Sequence, residues 1–142
     1  MKPPRFEYYD PRTVEEALKL FTDQPGESKV LSGGQSLMPL LNMRLLRPKA
    51  IIDINRIESL KTVRPWNQGL SVGAGVAVLA IETDRQFAER LPILYDAARH
   101  IAHPQIRNRG TAAPDCDKED PGPGCERNRR VELVIYPDQI GQ

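Results

Sequence analysis

The stretch Lys29-Val30-Leu31-Ser32-Gly33-Gly34-Gln35-Ser36-Leu37-Met38-Pro39-Leu40-Leu41 constrains the fold of this chain more than any other. Val30-Leu31 reads as a short buried strand, Gly33-Gly34 as a turn, and the residues from Ser36 as the start of a helix. Glycines carry no Cβ to keep a ligand off the main chain. Their N–H groups, with side-chain donors from Ser32, Gln35 and Ser36 beside the positive end of a helix, make an anion site suited to phosphate. The same residues also read as a tight turn with no ligand, because a lone Gly-Gly pair has little specificity.

On the amino-terminal side, residues 3 to 12 carry three prolines and the aromatics Phe6, Tyr8 and Tyr9, the composition of an extended segment whose rings pack on the domain body. A helix follows. Thr13 and Glu16 have the spacing of a capping box, Val14, Ala17, Leu18 and Phe21 recur at helical intervals, and Pro25-Gly26 ends the run. Such a helix is expected to cover a sheet face. After the glycine turn, Leu37, Leu40, Leu41, Met43, Leu45 and Leu46 predict a helix that is apolar nearly all round, hence buried, and stopped by Pro48. Ala50-Ile51-Ile52-Asp53-Ile54 predicts a second strand, and Asp53 and Asn55 read either as caps of the next turn or as groups that orient a ligand.

From Lys61 the pattern changes. Thr62-Val63 and Leu70 to Ala74 flank Asn67-Gln68-Gly69, a hairpin signal, so a second subdomain is expected to start here. Residues 76 to 91 are compatible with helix, and Pro92 can open another in which Leu94, Ala97, Ala98 and Ile101 share a face. His100 and His103 have a spacing that can hold a metal, yet no third ligand lies near in sequence. The segment Gln105 to Thr111 crowds Arg107 and Arg109 with two amides and a glycine, and reads either as a grip on pyrophosphate or as a solvated basic loop.

A chain of 142 residues is one domain's worth. With 20 basic against 19 acidic residues the net charge is +1, which argues against nucleic acid as a partner. No stretch approaches the roughly 18 apolar residues of a membrane span, so a cytoplasmic protein without one is expected. Cys116 and Cys125 are the two cysteines, too few for a four-ligand zinc site and a poor disulfide framework.

Four segments, in order and at matching spacing, carry a resemblance: Pro4-Arg5-Phe6-Glu7-Tyr8, Leu31 to Pro39, Ile52 to Ile57, and His103-Pro104-Gln105-Ile106-Arg107-Asn108-Arg109-Gly110-Thr111. From residue 1 to about 111 the chain resembles the FAD-binding medium subunit of molybdenum hydroxylases, the group that includes carbon monoxide and xanthine dehydrogenases. The resemblance implies an α/β (α+β) fold of the PCMH type, with two small subdomains holding FAD between them. Residues 1–60 would form the first, 61–112 a truncated second, and 113–142 an atypical linker and terminal strand. It places cofactor contacts on Ser32, Gly33, Gly34, Gln35, Ser36 and Leu37, and at a second loop on Gly110 and Thr111. His103, Arg107 and Asn108 are candidate flavin-shell residues without assigned roles.

The implied function is electron transfer by an FAD-dependent oxidoreductase subunit. An iron–sulfur subunit and a molybdenum (molybdopterin) subunit would be its partners, and no catalytic or metal-binding residue is expected in this chain. After Thr111 the family's second glycine pair gives way to Ala112-Ala113-Pro114, and Asp115 to Gly124 reads as linker. That break leaves two other expectations open, a remnant that retains no FAD and a simple nucleotide- or phosphate-binding module. Arg127 to Ile135 has the alternation of a strand that can cover an open sheet edge.

Overall fold

The computed structural model describes residues 2–23, 26–67, 69–112 and, as backbone, 132–135. Pro25, Gln68, Ala113, Pro114, the linker from Asp115 to Gly124, both cysteines and the start of the terminal strand lie outside the described residues. The chain divides into two compact units, Met1–Ser59 and Leu60–Gln142.

The first unit holds a parallel sheet. Strands β1 (Glu7–Tyr9) and β2 (Ser28–Leu31) flank β3 (Ala50–Asp53), in the order β1-β3-β2. As the central strand of a parallel sheet, β3 is covered on both faces, which explains its unbroken apolar run: Ala50, Ile51 and Ile52 are each about 1 % exposed. Helix α1 (Val14–Asp23) starts as its capping box predicts, with Thr13 Oγ1 accepting from the Glu16 N–H at 3.2 Å. Glu16 reaches back to the N–H of Arg12, at 2.9 Å, one residue earlier than in the standard box. The helix lies against β3, as a covering helix is expected to, with Val14, Ala17, Leu20 and Phe21 half-buried, though none of its residues is fully buried and Leu18 is half exposed.

Helix α2 (Leu37–Asn42) is shorter and more exposed than its composition predicts. The chain turns at Arg44, at φ 58°, where the Arg44 N–H donates to the Leu41 carbonyl at 3.0 Å and the Leu45 N–H to the Leu40 carbonyl at 2.9 Å. That pair of bonds is a Schellman stop with arginine in the position glycine usually takes, so nothing in the sequence announced it. Only Leu41 of α2 is buried, while Met43 and Leu45 stand in solvent.

The second unit follows a 3-10 turn, Glu58–Lys61, with an antiparallel sheet of β4 (Val63–Trp66), β5 (Gly69–Gly73) and β6 (Glu132–Ile135), in the order β4-β5-β6. The predicted hairpin is present with Asn67 at φ 52°, and Pro65 is tolerated because β4 is an edge strand. The carboxy-terminal strand lies along β5, with Leu70 opposite Ile135 and Val72 opposite Leu133, and so fills the edge that β4 leaves open. Among the described residues four helices follow β5 in sequence: α3 (Val78–Thr83), α4 (Arg85–Arg90), α5 (Pro92–Ala98) and α6 (Pro104–Arg109). Asp84 separates α3 from α4 and caps the latter by accepting from the Gln86 N–H at 2.9 Å. Leu70, Val72, Val76, Val78, Ile81, Phe87, Leu91 and Ala98 form one core. Of the face predicted for α5, Ala98 is buried and Leu94 packs on the core, but Ala97 is exposed within the helix, and Ile101 is exposed beyond its end at Ala98.

Candidate functional site

In a parallel sheet the loops at the carboxyl ends of the strands gather on one side, where ligands of such folds bind. Three connections meet at that edge of the first unit: the exit of β1, the glycine loop after β2, and the turn after β3. The loop Ser32 to Leu37 is thereby brought to one place, as its sequence predicts. Gly34 sits at φ 71°, in the left-handed region that favours glycine, and an added Cβ would meet Leu31 Cδ1 at 3.0 Å. Among the described residues, no acceptor is found for the main-chain N–H groups of Gly33, Gly34, Gln35, Ser36 and Leu37. Five consecutive donors thus remain for a ligand, with the exposed side chains of Gln35 and Ser36 beside them. No charged side chain occurs from Ser32 to Leu37, so the loop itself offers an anion only neutral dipoles.

Asp53 and Asn55 form the local turn their sequence allowed, and Asn55 also reaches beyond it. Asp53 Oδ1 accepts from the Asn55 N–H at 2.9 Å, a local Asx turn, while Asn55 Nδ2 donates to the Ser32 carbonyl at 2.8 Å and so reaches the glycine loop. Tyr8 joins them from β1, its hydroxyl donating to Asp53 Oδ2 at 2.5 Å. That hydrogen bond, then burial, then the charges of Asp53 and Asp10 push the Tyr8 phenol up to about 12, against an opposing pull from Arg56. The Tyr8–Asp53 contact spans 45 positions of sequence, and no local signal could have found it.

Gly110 and Thr111 lie in the second unit, paired with the entry to α3. The Val78 N–H donates to the Gly110 carbonyl at 2.8 Å, Thr111 bridges Ala77, and the Ala112 N–H donates to the Val76 carbonyl at 2.9 Å. Arg107, a candidate grip on pyrophosphate, is instead buried at 7 % exposure and spent inside the fold. Its Nε donates to Glu82 Oε2 at 2.7 Å, Nη2 to Glu82 Oε1 at 3.3 Å, and Nη1 to the carbonyls of Ile101 and Ala102 at 3.2 and 2.9 Å. Arg109 and Asn108 are exposed. His100 and His103 are exposed as well, and among the described residues no group of three or more His, Cys, Asp or Glu is placed to hold a metal. Nor is any helix among them long and apolar enough to cross a membrane.

Residues 4–114 match the family described as the FAD binding domain in molybdopterin dehydrogenase. The chain is 47% identical over 111 residues to the 6-hydroxypseudooxynicotine dehydrogenase complex subunit alpha of Paenarthrobacter nicotinovorans, a match covering 78% of this chain and 38% of that protein. It is 40% identical over 122 residues to the carbon monoxide dehydrogenase medium chain of Hydrogenophaga pseudoflava, covering 86% and 42%. The fold superposes on a solved structure of carbon monoxide dehydrogenase from that organism with a TM-score of 0.75 at 41% identity, over 78% of this chain and 39% of that one. Quinoline 2-oxidoreductase from Pseudomonas putida gives the same TM-score at 38% identity, over 78% and 39%. The chain therefore spans less than half the length of each of these relatives.

Proposed function

The chain belongs to the family of FAD-binding domains of molybdopterin dehydrogenases, and from that premise we propose that it is the flavin-holding part of an electron-relay subunit in a molybdenum-containing hydroxylase or dehydrogenase. The observation that carries this reading is the run of five main-chain N–H groups from Gly33 to Leu37 without acceptors among the described residues, on a loop turned by Gly34. A diphosphate is rich in oxygen acceptors and needs close approach to the main chain, so the donor set fits the diphosphate of FAD.

In this reading Ser32, Gly33, Gly34, Gln35, Ser36 and Leu37 hold the diphosphate, and Gly110 and Thr111 are further cofactor-binding residues. Residues 1–60 and 61–112 act as the first and the partial second FAD-binding subdomains. When bound, FAD supplies the ability to accept and release electrons at a modest potential. This chain's own residues place the cofactor and tune it by hydrogen bonds, and a neutral loop does so without adding fixed charge. An iron–sulfur subunit would deliver electrons taken from substrate by a molybdenum subunit, in the cytoplasm.

The test is an absorption spectrum and an FAD titration of the 142-residue chain, with any released cofactor identified after denaturation. Flavin bands at near-stoichiometric FAD are expected. Gly33→Val, at a position without positive φ, should abolish binding while the circular dichroism spectrum stays that of the folded chain. A folded wild-type chain that takes up no flavin from excess FAD would sink the proposal. ADP binding as tight as FAD binding would favour a simple nucleotide module instead.

A further inference from the structure

Asn55 lies just past the carboxyl end of β3, and its amide nitrogen sits between two acceptors, the Ser32 carbonyl at 2.8 Å and Asp53 Oδ1 at 2.7 Å. A carbonyl and a carboxylate can only accept, so the orientation of the amide is determined and both of its hydrogens are used. Asp53 is itself held by the Asn55 N–H at 2.9 Å and the Tyr8 hydroxyl at 2.5 Å. One residue away, the Ile54 N–H donates to the Leu31 carbonyl at 2.9 Å. The exit of β3 therefore grips both residues that precede the glycine pair.

The consequence follows from peptide geometry. A peptide unit is planar and trans, so the direction of the Ser32 carbonyl dictates that of the Gly33 N–H, which points the opposite way. By holding the carbonyl, Asn55 aims the first of the five free donors away from itself. We propose that Asn55 is the positioning residue of this loop, keeping the Gly33 N–H turned toward a bound diphosphate before the ligand arrives. The inference rests on the diphosphate reading of the loop. Its energetic content is preorganisation: a loop ordered in advance loses less conformational freedom on binding.

The experiment uses the full chain with Asn55→Ala, which removes both donors, and Asn55→Asp, which keeps the shape but sets a second carboxylate against Asp53. Two quantities are read: 15N order parameters of the Gly33 and Gly34 amides without ligand, and dissociation constants for FAD and for ADP. Asn55→Ala should lower both order parameters, leave those of Ile51 and Ile52 unchanged, and weaken FAD and ADP by the same factor, about three- to tenfold. Asn55→Asp should do more.

Unchanged loop order parameters overturn the proposal whatever the affinities do, and so does a loosened loop that binds FAD as tightly as wild type. A wild-type chain that takes neither FAD nor ADP overturns the diphosphate reading and with it the role toward ligand. The order parameters would then show separately whether Asn55 anchors the loop.

Discussion

Tyr8 shows how one side chain can couple a strand to the turn that holds the glycine loop. It is half exposed, yet its hydroxyl ends on Asp53, the residue that also accepts from the Asn55 main-chain N–H and from one hydrogen of its amide. The phenol is raised to about 12 from an ordinary 10, so the folded state holds this proton more tightly than the unfolded one. The stabilisation is therefore complete below pH 10 and is lost as pH rises from 10 through 12. Tyr8→Phe should cost a few tenths to about 1 kcal/mol at neutral pH, since the contact is partly solvated. In urea titrations at several pH values, the difference between wild type and variant should vanish near pH 12. A difference that persists above pH 12 would show that Tyr8 acts through packing instead.

Arg107 belongs to the scale of elements, because its contacts tie α6 to α3 and to the carbonyls of the turn at Ile101 and Ala102. Its side chain is 9 % exposed and that of Glu82 20 %, so the pair is largely withdrawn from water. Removing one partner strands the other charge. Arg107→Ala should destabilise the second unit by about 3 kcal/mol, read as a lower urea midpoint at unchanged slope. An effect within about 0.5 kcal/mol would mean that the pair is solvated and the anchor idle. The same anchor explains how Gly110 and Thr111 come to lie along the entry of α3, where the Val78 N–H meets the Gly110 carbonyl at 2.8 Å. Gly73 shows the tightest packing of an element: an added Cβ there would sit 2.1 Å from the Leu60 carbonyl oxygen.

At the scale of the whole molecule, the two units solve the problem of sheet edges differently. The second depends on β6, which pairs with the fully buried strand β5 from the far end of the chain. A variant ending at Ala112 would leave the N–H and C=O groups of β5 unpaired along one edge. It should self-associate, seen as a mass above that of a monomer in light scattering at tens of micromolar. A monomeric, folded variant would show that β6 is dispensable. Much of the architecture was legible beforehand, because its signals are local: the capping box of α1, the apolar run of β3, the hairpin around Asn67, proline at the start of α5, and the glycine turn all act within a few residues. The short α2 escaped because arginine occupies a left-handed stop where glycine is the usual mark. The sequence by itself determined the order of the elements and the place of the glycine loop, through periodicity and turn chemistry. Only the tertiary structure decided that Arg107 is an internal anchor and that Asn55 grips Ser32 across 23 positions. The physical reason is that such partners meet only when strands and helices pack, and no residue carries a local mark of a distant one.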